Sequence, residues 1–218
     1  MLRQYISCLP ILLTFGLFFL NLSDLAATHN RAGEITVEQI DALTIKAMIT
    51  TYTKASSIQA DRDSLTLCWG DGNCELLVRI NGPVGNGGIP SGERLPNDTK
   101  VNIYMAFHVY PGIGTYKLSM TDPNRNGQII NLNPPNSDMV EFHIQTVYTL
   151  LNPQFEGSNN TPKLLQPPVD IGCVGQTFIH NPNAYDEDGD SLAYKLITPL
   201  RGLDEETGEA IEVPNYLF

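Results

Sequence analysis

Cys68-Trp69-Gly70-Asp71-Gly72-Asn73-Cys74 is the stretch whose reading decides the fold. Leu65-Thr66-Leu67 runs into it and Leu76-Leu77-Val78-Arg79-Ile80 runs out of it, both rich in strand-favouring residues. The Gly-Asp-Gly centre tolerates positive φ, which tight hairpin turns require. A three-residue loop over Gly70, Asp71 and Gly72 predicts that Trp69 faces Asn73 and Cys68 faces Cys74. The two thiols would then close a disulfide beside the single tryptophan of the chain.

Outward from the hairpin, alternation marks further strands. Ile35 and Val37, then Leu43, Ile45, Ala47, Ile49 and Thr51, recur at period two, as in strands with one buried face. Asn81-Gly82-Pro83 and Asn86-Gly87-Gly88 punctuate a loop running to Asp98, in which no regular element is expected. Val101, Ile103, Met105 and Phe107 alternate with Asn102, Tyr104, Ala106 and His108 in the next strand. A turn at Pro111-Gly112-Ile113-Gly114 returns the chain into a strand from Thr115 to Met120. Val140, Phe142, Ile144, Thr146 and Tyr148 form a last long strand. No stretch sustains a helical period, so the expected fold class is all-β, with strands and turns at sandwich spacing.

Composition narrows the function classes. Thirteen Lys and Arg stand against 24 Asp and Glu, a formal charge of −11 over 218 residues. Such a surface repels phosphate backbones and anionic lipid, so neither is an expected partner. Cation binding and plain solubility are both compatible with it.

The N-terminus reads as an export signal. Arg3 precedes an apolar run from Ile6 to Leu20, and small residues follow up to Ala27, where cleavage is expected. An uncleaved anchor over Ile6 to Leu22 is the alternative, weakened by Pro10, Thr14 and Asn21. Cleavage leaves a mature chain without an expected membrane span. It also leaves Cys68, Cys74 and Cys173, of which the first two can pair in an oxidising compartment. Zinc is a poor rival, because no nearby second pair or histidine completes a tetrahedral site. Cys173 is expected to be free and buried, or to pair outside these residues.

Residues 154–161 are rich in Gly, Ser and Asn, and Pro162, Pro167 and Pro168 follow. They read as a linker between a sandwich over residues 28–153 and a second β module over residues 162–218. In that module Gln176 to Ile179 and Leu192 to Ile197 are expected strands, joined by an acidic loop. The module is short for a sandwich, so the chain is expected to be the front of a longer protein.

Trp69-Gly70-Asp71-Gly72, then His108-Val109-Tyr110 and Gly114-Thr115-Tyr116-Lys117-Leu118, resembles a polycystic-kidney-disease-type (PKD) domain. That family carries a W-G-D-G hairpin and, later, H-x-Y and G-x-Y strands in this order. Ala184-Tyr185-Asp186-Glu187-Asp188-Gly189-Asp190-Ser191-Leu192 resembles the loop of cadherin-like and other Ig-like bacterial surface domains. Together with Thr28 to Thr36 and Phe178-Ile179-His180-Asn181-Pro182, the chain is similar to large exported proteins of Bacteroidetes often labelled gliding-motility-associated. The resemblance implies cell-surface or extracellular location and type IX secretion, although the sorting domain of that route is not in these residues.

Asp186, Asp188 and Asp190 are the candidate metal ligands. Alternate carboxylates around Gly189 can converge oxygen ligands on calcium, the one cofactor considered. An acidic turn, with Asp side chains capping backbone N–H groups, explains the same residues. Asp71 reads as turn chemistry, or as an exposed carboxylate able to bind a ligand. His108, Tyr110 and Tyr116 read as packed cross-strand aromatics, or as a ligand shelf. His29, His143 and His180 suggest no metal site. No catalytic motif is found, so no enzyme is expected. The expected function is a non-enzymatic spacer or adhesion module that meets a protein or glycan at the cell surface. The alternative is an accessory, carbohydrate-binding region of a secreted hydrolase.

Overall fold

A computed structural model describes residues 30–85, 87–132, 136–168 and 172–217. The export signal, with its cleavage point near Ala27, and His29 lie outside the described residues.

Strong alternation produces two four-stranded antiparallel sheets. β1 (Asn30–Gln39) and β2 (Thr44–Lys54) pair along their whole length, with Val37 opposite Ala47. A short 3₁₀ turn, Ile58–Ala60, leads to β3 (Ser64–Cys68) and β4 (Cys74–Val78). β5 (Glu93–Leu95) precedes β6 (Thr99–Val109), β7 (Gly114–Asp122) and β8 (Phe142–Leu150). One sheet runs β1-β2-β6-β5 and the other β4-β3-β7-β8. Ile35, Val37, Ile45, Ile49, Leu67, Trp69, Leu118 and Leu150 fill the space between them. The expectation of an all-β protein holds, and the two sheets enclose one core as in a sandwich. β5 departs from the expectation of an unstructured loop: Glu93 to Leu95 pair with Val101 to Thr99 on the edge of β6.

Polarity does not simply choose the buried face. On β6 the inward side chains are Asn102 and Tyr104, each 1% exposed, while Phe107 and Val109 face outward. On β4 Leu77 points inward, as does Arg79 directly after the strand, and Leu76 and Val78 point outward. Arg79 is tolerated because its guanidinium is saturated. Nη1 donates to Asp61 Oδ1, Arg62 O and Asn102 Oδ1 at 2.8–3.0 Å, Nη2 to Asp63 Oδ1 at 2.9 Å, and Nε to Pro90 O at 2.7 Å. Lys100 Nζ adds a second cation 2.6 Å from Asp61 Oδ1. Burial alone would raise the Asp61 carboxyl, but the bonds from Arg79 and Lys100 outweigh it and hold its pKa low. This network pins the long 80–98 loop to the sandwich.

Beyond residue 153 the chain lies along the seam where edge strands β1 and β8 meet. Thr161 N donates to Val37 O at 2.9 Å, Val37 N to Thr161 Oγ1 at 2.7 Å, and Gln39 N to Asn160 Oδ1 at 2.9 Å. Residues 159–161, expected as linker, thereby cap the free edge of β1, which would otherwise offer unpaired donors and acceptors. Two small ribbons follow: β9 (Lys163–Leu164) with β10 (Ala184–Tyr185), and β11 (Leu200–Leu203) with β12 (Ala210–Glu212). Val213 joins Leu132 and Val140 in a satellite apolar cluster. The strands expected over residues 176–179 and 192–197 do not form. Ile179, Tyr194 and Leu196 are more than half exposed there, so no apolar layer rewards the pairing. Cys173 is free but exposed, against the expectation that a free thiol here would be buried.

Candidate functional site

The opening hairpin has the register expected of it. Cys68 stands opposite Cys74 and the two form a disulfide, while Trp69 N donates to Asn73 O at 2.9 Å. Gly70 and Gly72 take φ of +82° and +91°. The two glycines are not equivalent. A Cβ on Gly70 would lie 2.6 Å from Lys117 N, because the turn rests directly on the backbone of β7, whereas one on Gly72 would meet open space.

Asp71 uses both carboxylate oxygens. Oδ1 accepts from Asn73 N at 3.0 Å, the Asx turn expected of it, and Oδ2 lies 2.8 Å from His108 Nε2 on β6. Only 7% of its side chain is exposed. Burial raises the Asp71 carboxyl, but the Asn73 amide and the His108 imidazole outweigh burial and hold its pKa below the usual range.

His108 continues into an aromatic ladder across both sheets. Its ring stacks on Trp69 at 4.5 Å between centroids and 9° between planes. Tyr110 meets His108 edge-on at 4.7 Å and stacks on Tyr116 at 3.6 Å. Each phenol is used internally: Tyr110 Oη donates to Trp69 O and Tyr116 Oη to Gly112 O, both at 2.7 Å. Burial pushes the Tyr110 phenol up, so it stays protonated as a donor. These residues are packed cross-strand aromatics with bonded tips. At Gly114 an added Cβ would meet the Tyr116 ring at an ordinary 3.9 Å, so sterics do not demand glycine.

The acidic loop is built as a turn. Asp186 Oδ1 accepts from Asp188 N and Asp190 N at 3.0 and 3.1 Å. Asp188 reaches away from it, its two oxygens accepting from Asn160 N at 2.6 Å and Asn160 Nδ2 at 2.8 Å. Lys163 Nζ pairs with Glu187 Oε2 at 2.9 Å. The loop is therefore fastened to the segment that caps β1. Among the described residues no three His, Cys, Asp or Glu side chains are grouped to hold a metal.

Sequence reasoning missed Arg79 and Arg125. Arg79 carried a faint signal, since a charge inside Leu77-Val78-Arg79-Ile80 must face one side or the other of a strand. Arg125 carried none, because it sits in a turn-like Asn-Arg-Asn-Gly run. No helix among the described residues is long and apolar enough to cross a membrane. Comparison of the chain with known protein families, with curated proteins and with solved structures finds no match.

Proposed function

We propose that this chain is an exported, non-enzymatic surface module, a PKD-like sandwich that serves as a spacer or adhesive unit toward a protein or glycan. The observation that carries the reading is the use of the Asp71–His108–Tyr110–Tyr116 set. Asp71, Tyr110 and Tyr116 spend their polar tips on internal hydrogen bonds and His108 gives Nε2 to Asp71, so the most chemistry-rich cluster of the hairpin serves the scaffold. The disulfide agrees with passage through an oxidising compartment. Gliding-motility association and type IX secretion rest on the sequence resemblance alone.

Calcium enters this proposal only as a weak surface ion at Asp186, Asp188 and Asp190. Both Asp188 oxygens already accept from Asn160, and an ion would have to compete with those bonds.

Protease shaving of intact source cells tests the proposal. The expected result is release of peptides from residues 30–217, a mature N-terminus near residue 28, and a Cys68–Cys74 bridge in the non-reduced digest. Retention inside the cell with both thiols reduced would overturn it.

A further inference from the structure

The two sheets end in four edge strands, β1, β5, β4 and β8. Three of these edges are covered or blunted, as edges must be if they are not to pair with another chain. Residues 159–161 cap β1. Beside β8, Asn159 Nδ2 donates to Thr149 O at 2.8 Å. Arg125 Nη2 holds β11 there as well, donating to Glu141 O just before β8 and to Leu200 O at 2.8 and 2.7 Å. β5 is three residues long and exposes Glu93 and Arg94.

β4 has none of these devices. It holds no Lys, Pro or bulge, and Glu75 is its one charge. On its outer face Leu76 and Val78, with Ile80 just beyond, are 64%, 48% and 50% exposed. The ladder to β3 determines which main-chain groups are left over. Trp69 N donates to Asn73 O and Arg79 N to Asp63 O, so bonds to β3 fall at the odd-numbered residues of this strand. Cys74, Leu76 and Val78 therefore turn N–H and C=O to the open side, where the sheet has no further strand. Ile80 N, which has the same parity, donates to Ile103 O at 2.8 Å on that side.

This edge is self-complementary. Two copies of β4 set antiparallel about Leu76 place Leu76 opposite Leu76 of the second copy, and Cys74 opposite Val78. Every such pair joins outward-facing groups, so about six main-chain bonds form at once. Glu75 falls opposite Leu77, and no like charges stand directly opposed. A foreign strand could meet the same ladder, but a second copy also brings its own apolar row of Leu76, Val78 and Ile80. The Cys68–Cys74 disulfide anchors β4 to β3 beforehand, which lowers the cost of ordering it.

We propose that a second copy of this chain pairs through β4, joining two β4-β3-β7-β8 sheets into one across a two-fold axis. The pairing does not depend on the surface-module reading. One strand edge buries little area, and a net charge of −11 on each copy opposes contact, so a Kd on the order of 100 µM is expected.

The test is sedimentation equilibrium of the chain from ~5 to ~500 µM in ~0.15 M NaCl, with amide hydrogen exchange read residue by residue. The mass should rise from monomer to dimer and no further. Exchange at Cys74, Leu76 and Val78 should slow with concentration, while Glu75 and Leu77, already bonded to β3, stay unchanged. Leu76→Lys, at an exposed position, should weaken the dimer at least ~10-fold with Tm unchanged. Val78→Pro removes an outward N–H and no bond to β3, and should act in the same direction. Phe107→Lys, at a 56% exposed position on the other sheet, should leave dimerisation as it is. A chain that is monomeric at ~500 µM overturns the proposal and leaves the edge to a strand of another protein. Assembly beyond the dimer, protection that skips Leu76 and Val78, or undiminished dimerisation by both β4 variants overturns it as well.

Discussion

Asp71 Oδ2 and His108 Nε2 lie 2.8 Å apart, joining the hairpin of one sheet to a strand of the other across 37 residues of chain. The pair closes the end of the sandwich where Trp69 is buried beneath the His108 ring. Asp71→Asn keeps the shape but removes the charge, and is expected to cost about 1–2 kcal/mol in urea unfolding at pH 7. Because the folded carboxyl is held low, its contribution is present above the unfolded value and is lost as pH falls through the folded one. The wild-type and variant stabilities should therefore converge in acid. A gap unchanged at pH 3 would contradict this account.

Gly70 and Gly72 share positive φ yet differ in surroundings, which gives a paired test. Gly72→Ala meets only the backbone penalty, about 1 kcal/mol. Gly70→Ala adds a collision with Lys117 backbone and should cost at least ~3 kcal/mol, read as a fall in Tm. Equal costs would mean that the turn does not rest on β7.

Arg79→Ala strips the centre from the Asp61–Asp63–Asn102 network and leaves buried acceptors without donors. A loss of about 3–5 kcal/mol is expected, together with faster proteolysis in the 80–98 loop. Measured stability within ~1 kcal/mol of wild type would show that water substitutes for the guanidinium.

His143 is held neutral by burial, so its folded pKa lies below that of the unfolded chain. Its contribution is complete above the unfolded value, about 6.5, and is lost as pH falls through the folded one. Stability should decline between pH 7 and pH 5, and His143→Gln should flatten that part of the curve.

Asp188→Ala should lower Tm by ~1–3 °C even in excess chelator, because the carboxylate works for Asn160. A variant neutral in chelator but deaf to millimolar calcium would instead make Asp188 a pure metal ligand.

Much of this was legible from local patterns. The hairpin register followed from Gly-Asp-Gly between two strand-like runs, because turn length dictates which residues oppose each other. β1, β2, β6, β7 and β8 followed from period-two alternation. The second half was not legible, since Leu192-Ala193-Tyr194-Lys195-Leu196-Ile197 has the composition of a strand but no neighbour to pair with. Of the candidate residues, Asp71, His108, Tyr110 and Tyr116 come together as one cluster, while Asp186, Asp188 and Asp190 separate into a turn cap and a docking contact.

By itself the sequence determined the all-β class, the turn that starts the hairpin and the pairing of Cys68 with Cys74. Those depend on neighbours in the chain, on residues that tolerate positive φ and on alternation. Which face of each strand is buried was decided only by tertiary structure. Along residues 76–80 the apolar set Leu76, Val78 and Ile80 would make the buried face by hydrophobicity, yet Leu77 and Arg79 are the residues turned inward. A one-residue change of register exchanges the faces, and only a distant set of partners, Asp61, Asp63 and Asn102, makes a buried arginine the stable choice.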